Sequence, residues 1–319
     1  RQASVLWDML QCGGFLYKEG KMHYTKPPLN FNQQSSLLIS RGLIARPDEL
    51  EYFLHKVNYY RLTGYLYPFR IPNTDNYIPG TTLDQIKGIY YFDADLRRLT
   101  FSAIETIDIA LFRTQMVEKF TQLHGSFCYT DHNCFNSSLS PIAHQNMMLR
   151  ITQNVNRSQE EFIKSYRRKY FSEPNLPFWM VAETITFGQL SVIFMNLPMN
   201  ILVPIAKEYN LHSSTLISWL HTLTNIRNIS AHHARLWNRV LPIRPGIPSS
   251  KYHPEFHTPT RIKNDGYFII LGILKYMLDL ITPDNSLIKD FNNLLVKFPD
   301  IPINRMGFPN NWGNFLIFK

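Results

Sequence analysis

The hydrophobic positions of this chain recur at three- and four-residue steps, the spacing of one face of an α-helix. The longest run extends from 82 to about 123, with Leu96, Leu99, Ala103, Ile107, Ala110, Leu111, Thr114 and Val117 on the repeat. Thr82 with Gln85 has the form of a capping box at its start, and Gly125 ends it. Gly88 or the Phe92-Asp93 pair is expected to divide this run into two helices. Residues 33–40 read as a short helix stopped by Gly42, and 47–57 as another, with Pro47 in its first turn and Asp48 and Glu49 near the positive helix end. Further helices are expected from 141 to about 155, from a Ser158–Glu161 capping box through 170, on both sides of Gly188, and near 200–209. Ser213 is expected to cap a long helix reaching about 237. Residues 267–281 are apolar on nearly every face, as in a buried helix, and Thr282-Pro283 opens a last helix to about 297. No stretch alternates convincingly as a strand, so the fold class is all-α, a multi-helix bundle with an N-terminal helical region.

Loops and breaks divide the chain. Residues 1–25 form an extension, 26–175 an N-terminal helical region, 176–298 a second helical domain, and 299–319 a tail rich in Pro and Asn. No internal repeat and no low-complexity tract is present.

Composition sharpens this picture. Of 319 residues 45% are hydrophobic, enough for a real core. The most apolar stretch, 267–281, is interrupted by Lys275 and Asp279 and falls short of the roughly 18 residues of a membrane span. No secretory signal is evident in the first 30 residues, and three cysteines (Cys12, Cys128, Cys134) suit a reducing cytoplasm. The formal net charge of +9 suits a polyanionic partner, of which nucleic acid is the usual one.

Candidate chemistry concentrates at Arg227-Asn228-Ile229-Ser230-Ala231-His232-His233. Cleavage of RNA without a metal needs a base for the 2′-hydroxyl proton, an acid for the leaving 5′-oxygen, and a cation for the charge on phosphorus. Histidine titrates near neutrality and can act as acid or base, and arginine offers a fixed fork of donors to phosphate oxygens. His232 is therefore assigned as acid/base, Arg227 as phosphate clamp and Asn228 as the residue orienting the histidine or the phosphate. On a helix, five residues turn through about 500°, which leaves Arg227 and His232 about 140° apart. Asn228 and His232 are the i,i+4 pair, with Arg235 and Arg239 expected to continue that side. Two copies of the helix across a two-fold axis would supply two Arg and two His, so a homodimer is expected. The other reading of this stretch is an ordinary capped helix with a partly buried histidine.

These residues also carry a resemblance. The R-[polar]-x-x-x-H spacing is similar to that of HEPN-type ribonucleases. Lys26-Pro27-Pro28-Leu29, Ser40-Arg41-Gly42-Leu43, Asn58 to Tyr65, Pro79-Gly80-Thr81-Thr82, Tyr91-Phe92-Asp93 with Leu96-Arg97, Arg113-Thr114-Gln115, Phe178-Trp179-Met180, Trp219-Leu220, the motif itself, and Met306-Gly307-Phe308-Pro309 follow one another in order. This series resembles the abortive-infection AbiD/AbiF-like family. The resemblance implies a HEPN fold, ribonuclease or toxin activity in bacterial phage defence, kinship with the nucleases of type VI CRISPR systems, and regulation by a structured small RNA encoded beside it. Relatives often carry a second Arg/His element after the Arg-Thr-Gln stretch. Here the sixth position after Arg113 is Lys119, which again favours a partner chain as the source of a second half-site.

Other basic and aromatic clusters are candidates for RNA contact: Tyr59, Tyr60, Arg61 and Arg70; Arg97 and Arg113; Arg167, Arg168 and Lys169; and His233, Arg235 and Arg239. The 58–70 stretch reads equally well as an aromatic corner of the core. The loop 241–262 with its flank carries Arg244, Lys251, His253, His257, Arg261 and Lys263, and reads as a lid over RNA or as a connector. His124, Cys128, His132 and Cys134 are zinc-compatible types, but their spacing matches no common zinc module, so neither metal nor cofactor is expected. No phosphate-binding loop, dinucleotide fingerprint or H-E-x-x-H is present. The alternative function is an RNA-binding protein that does not cleave.

Overall fold

The computed structural model describes residues 27–319; the expected extension at 1–25 lies outside them, as does Cys12. The chain is all-α. Among the described residues there is no strand, only single bridges between Ile44 and Thr82 and between Arg70 and Tyr77.

Three short helices open the fold: α1 (Phe31–Ser40), α2 (Pro47–Val57) and α3 (Tyr59–Leu66). Asn30 and Gln33 form a reciprocal capping box on α1, and Gly42 at φ 95° turns the chain after it. Asn58, at φ 61°, ends α2 and caps α3, its Oδ1 accepting from the Arg61 N–H at 2.9 Å. The stretch 58–70 is therefore a helix and a short turn, with Leu62, Tyr65, Leu66 and Phe69 in the core and Tyr60 and Tyr67 outside it.

Helix α4 (Leu83–Ile107) is the spine. It runs unbroken through Gly88 and Phe92-Asp93, against the expected division. A side chain at Gly88 would meet nothing, so the glycine costs only its intrinsic propensity, about 1 kcal/mol, and Asp93 is satisfied by partners in the core. The change of register comes later. Asp108–Met116 is wound as a π-helix, with the Thr114 hydroxyl bonded to the Ile109 carbonyl at 2.9 Å, before α5 (Val117–His124) resumes α geometry and ends at Gly125.

Helices α6 (Pro141–Arg157) and α7 (Glu161–Lys169) come next. Ser158 does not cap α7 as its spacing suggested. It terminates α6, and α7 starts after Glu160 with no side-chain cap. Helices α8 (Phe178–Thr184) and α9 (Phe187–Met195) meet at Ile185-Thr186, where Thr186 and Gln189 form a capping box; Gly188 lies inside α9. Helix α10 (Met199–Glu208) leads to α11 (Ser213–Ala231), capped by His212 rather than Ser213. The nearly all-apolar α12 (Tyr267–Ile281) is buried along most of its length. Helix α13 (Leu287–Lys297) begins after Ser286, a turn later than the Thr282-Pro283 pair suggested. Helices α3, α11, α12 and α13 all pack on α4. The tail docks through Phe308, Trp312, Phe315 and Phe318 around Phe268 and Phe291. No single helix among the described residues is long and apolar enough to cross a membrane.

Candidate functional site at the end of helix α11

Helix α11 is anchored by burial. Leu216, Trp219, Leu220, Leu223 and Ile226 are fully covered, and each such aliphatic side chain contributes roughly 1.5–3 kcal/mol over leaving it in water. What the core does not take is left outward near the C-terminal end: Arg227 half-buried, Asn228 and His232 exposed.

The helix stops at Ala231, not near 237 as its pattern suggested. His232 is the C-cap, and His233 adopts the left-handed conformation at φ 55°. The His233 N–H bonds to the Ser230 carbonyl at 3.2 Å and the Ala234 N–H to that of Ile229 at 3.0 Å, closing a Schellman motif. No glycine marks the stop, so the sequence carried no plain signal for it. The left-handed turn is held by contacts that the next few residues make with α3 and α4. Asp93, fully buried on α4, accepts from the backbone N–H of Leu236 at 3.1 Å and of Trp237 at 2.6 Å, from the Tyr65 hydroxyl at 2.6 Å, and from Arg97. Burial pushes the Asp93 carboxyl up, while Arg97 and these donors pull it back. Around it, Arg61 donates to the His233 carbonyl, Arg235 to the Gly64 carbonyl, and Arg239 Nε to the Arg235 carbonyl at 2.6 Å. The i,i+4 spacing of Asp93 and Arg97 was a signal for an ion pair that the reading of Arg97 as an RNA contact passed over. The role of Asp93 as a clamp on residues 143 and 144 positions away carried no such signal.

Arg235 and Arg239 therefore do not continue the face of Asn228 and His232. They lie beyond the helix end, half-buried against α3. Arg97 is buried beside Asp93, so its charge is used inside the core rather than at a surface that RNA could reach.

Arg227 leans over the ring of Phe101 on α4, its guanidinium carbon 5.5 Å from the ring centre, and lines a cleft of about 340 Å³ with Glu105, Asp108, Arg113 and Glu183. Its Nη1 lies 3.5 Å from Asn228 Oδ1. Arg113 donates to Asp108 Oδ2 at 3.1 and 3.2 Å and to the Ala182 carbonyl. In an α-helix a five-residue separation would set Arg113 and Asp108 about 140° apart; the wider π turn brings them together. Burial pushes the Asp108 carboxyl up, and Arg113 and Arg227 pull it back. Arg113 is thus committed to holding the π segment against α8. Lys119, the sixth residue after Arg113, pairs with Glu208 at 2.8 Å.

The remaining candidates lie elsewhere. Tyr59 is half-buried with its hydroxyl bonded to Arg41, whereas Tyr60 is 87% exposed; Arg61 and Arg70 flank them. Arg167, Arg168 and Lys169 are exposed at the end of α7, with Arg168 paired to Glu161 at 2.7 Å and Arg167 bonded to Asn156. His132 Nε2 bonds to the Leu139 carbonyl and Cys128 is buried, and among the described residues no group of His, Cys, Asp or Glu is arranged to hold a metal.

A family model described as Abi-like protein matches residues 52–238, which hold α3, the Asp93 clamp, the π segment and the whole of α11. Comparisons with curated proteins and with solved structures gave no match. The match spans more than half the chain and ends one residue past Trp237; the chain belongs to the Abi-like protein family, whose name ties it to abortive infection, a bacterial defence against phage.

Proposed function

We propose that this protein is a HEPN-type, metal-independent endoribonuclease of phage defence. The observation that carries the reading is that Arg227, Asn228 and His232 all reach solvent near the C-terminal end of one helix in an Abi-like chain of net charge +9. In the reaction, a histidine takes the proton of a 2′-hydroxyl, the 2′-oxygen attacks phosphorus, and the bond to the 5′-oxygen breaks as that oxygen receives a proton. The products are a 2′,3′-cyclic phosphate and a free 5′-hydroxyl. Arg227 steadies the charge on the non-bridging oxygens. Because Arg227 and His232 diverge around α11, a homodimer supplies the facing half, giving one histidine as base and its counterpart as acid. A cognate structured small RNA holds the enzyme inactive.

The divergence of Arg227 and His232 within one chain also favours a second reading, an RNA-binding protein that grips a structured RNA without cutting it. Cleavage of RNA in EDTA by wild type, His232→Ala and Arg227→Ala separates the two. Loss of cleavage in both variants, with salt-sensitive RNA binding kept, supports the ribonuclease. Equal cleavage by all three defeats the assignment, and binding with no cleavage by any preparation supports the second reading.

A further inference from the structure

One concavity of the molecule lies away from the Arg227 cleft. It is a groove of about 770 Å³ between α1 and α3, a size typical of small-molecule sites at roughly 300–1,000 Å³. Arg41, Tyr59, Tyr60, Tyr67, Arg70 and Arg235 line it. Two of its aromatic rings are left in solvent at some cost, Tyr60 at 87% exposure and Tyr67 at 66%, although α3 buries Leu62, Tyr65 and Leu66 on its other side. The Arg70 guanidinium sits 5.8 Å from the centre of the Tyr67 ring. Arg41 and Arg70 share a single carboxylate, Asp75, at 2.7 and 3.2 Å, so with Arg235 the groove holds three cations against one anion. Arg70 Nε and Gln34 Oε1, both of groove residues, have no hydrogen-bond partner among the described residues.

We propose that this groove is a subsite for one unpaired nucleotide, its base stacked on Tyr60 or Tyr67 and its phosphate held by the arginines. Flat exposed aromatic faces beside guanidinium groups are how proteins take bases that are free of a duplex, because a paired base presents no open face. The groove is also tied to the end of α11. Its Gly64 carbonyl accepts from Arg235, and Arg61, next to Tyr60, donates to the His233 carbonyl. A strand seated there lies against the residues that hold the end of α11. This rests on the RNA reading for its strand, but the same chemistry would also take a free nucleoside monophosphate.

The test uses the full chain freed of co-purified RNA. Binding of a labelled single-stranded oligoribonucleotide is measured for wild type, Tyr60→Ala, Tyr60→Phe, Arg70→Gln and, as a control exposed elsewhere, Tyr252→Ala. Competition is then measured with the blunt duplex of the same sequence, with AMP and with inorganic phosphate. Loss of one base stack weakens the single strand roughly 5- to 150-fold in Tyr60→Ala, whereas Tyr60→Phe and Tyr252→Ala stay within about twofold of wild type. Direct binding of labelled AMP that Tyr60→Ala abolishes, with no binding of the strand, places a free nucleotide in the groove and sinks the RNA reading alone. Strand binding equal in wild type, Tyr60→Ala and Arg70→Gln sinks the groove while RNA binding elsewhere stands. A duplex that competes as well as the strand, or phosphate that competes as well as AMP, also overturns the proposal, and binding of neither strand nor AMP overturns both.

Discussion

Asp93→Ala tests whether the end of α11 is set by a contact made from α4. The substitution removes one carboxylate and leaves four donors facing it: Arg97, itself only 7% exposed, the Tyr65 hydroxyl, and the N–H groups of Leu236 and Trp237. Breaking a buried ion pair from one side costs roughly 3–5 kcal/mol, and each buried N–H left without an acceptor adds about 1–3. Water entering the vacated space offsets part of this, so a loss of about 4 kcal/mol is expected, a large share of the roughly 5–15 kcal/mol available to a folded domain. The assay is urea unfolding followed by circular dichroism, with the slope compared between variants so that a changed unfolded state is not mistaken for lost stability. Arg97→Met should cost less, because the carboxylate keeps three donors. The double variant Asp93→Ala/Arg97→Met should cost less than the sum of the single losses, by about 0.5–3 kcal/mol. A loss under about 1 kcal/mol in Asp93→Ala at unchanged slope, or strict additivity in the double variant, would refute the clamp.

The same contacts set other expected outcomes. His233→Gly relieves a left-handed backbone that costs a side-chain-bearing residue about 1–2 kcal/mol, so it should raise stability by about 1 kcal/mol while RNA cleavage persists; lost cleavage would move the acid/base role to His233. Gly266→Ala would put a Cβ 2.6 Å from the Met306 carbonyl oxygen, so it should destabilise by about 1–3 kcal/mol and speed proteolysis of the tail; an unchanged digestion pattern would mean the tail docks without this approach. Burial pushes the Cys128 thiol up to about 12, so it should resist thiol reagents at pH 8 until urea unfolds the chain, and rapid labelling of the native protein would contradict its packing. Burial also pushes the phenols of Tyr65, Tyr129 and Tyr267 above the usual tyrosine range. Their folded values exceed unfolded ones near 10, so the stability they carry is whole below about pH 10 and is lost as pH rises through the folded values. Tyrosinate absorbance should therefore rise in two phases, the later one coinciding with unfolding; a single step with helicity intact would contradict this.

Much of the fold was legible from periodicity because helices are local. The apolar spacing marked α2 and α12 with their observed bounds, the helical run from Thr82 to the stop at Gly125, and the motif helix through Arg227. That Arg227 and Asn228 lie on that helix followed from the same periodicity. Three features could not be read this way, because each is decided by a partner distant in sequence. Residues after Ala231 could continue a helix by propensity, but Asp93 draws the Leu236 and Trp237 N–H groups to α4 and His233 turns left-handed instead. The segment Asp108–Met116 carries an ordinary helical pattern, yet it adopts the π form, in which Arg113 spans Asp108 and the carbonyl of Ala182. Arg97 and Tyr60 look alike as candidates for RNA in sequence, and only packing separates them: one neutralises a buried carboxylate, the other stands in solvent. Sequence by itself determined that the chain is helical and that Arg227 lies on a helix. Tertiary structure decided where the motif helix stops and which charges remain available to a ligand, because burial binds some polar groups to one another and leaves the others to water.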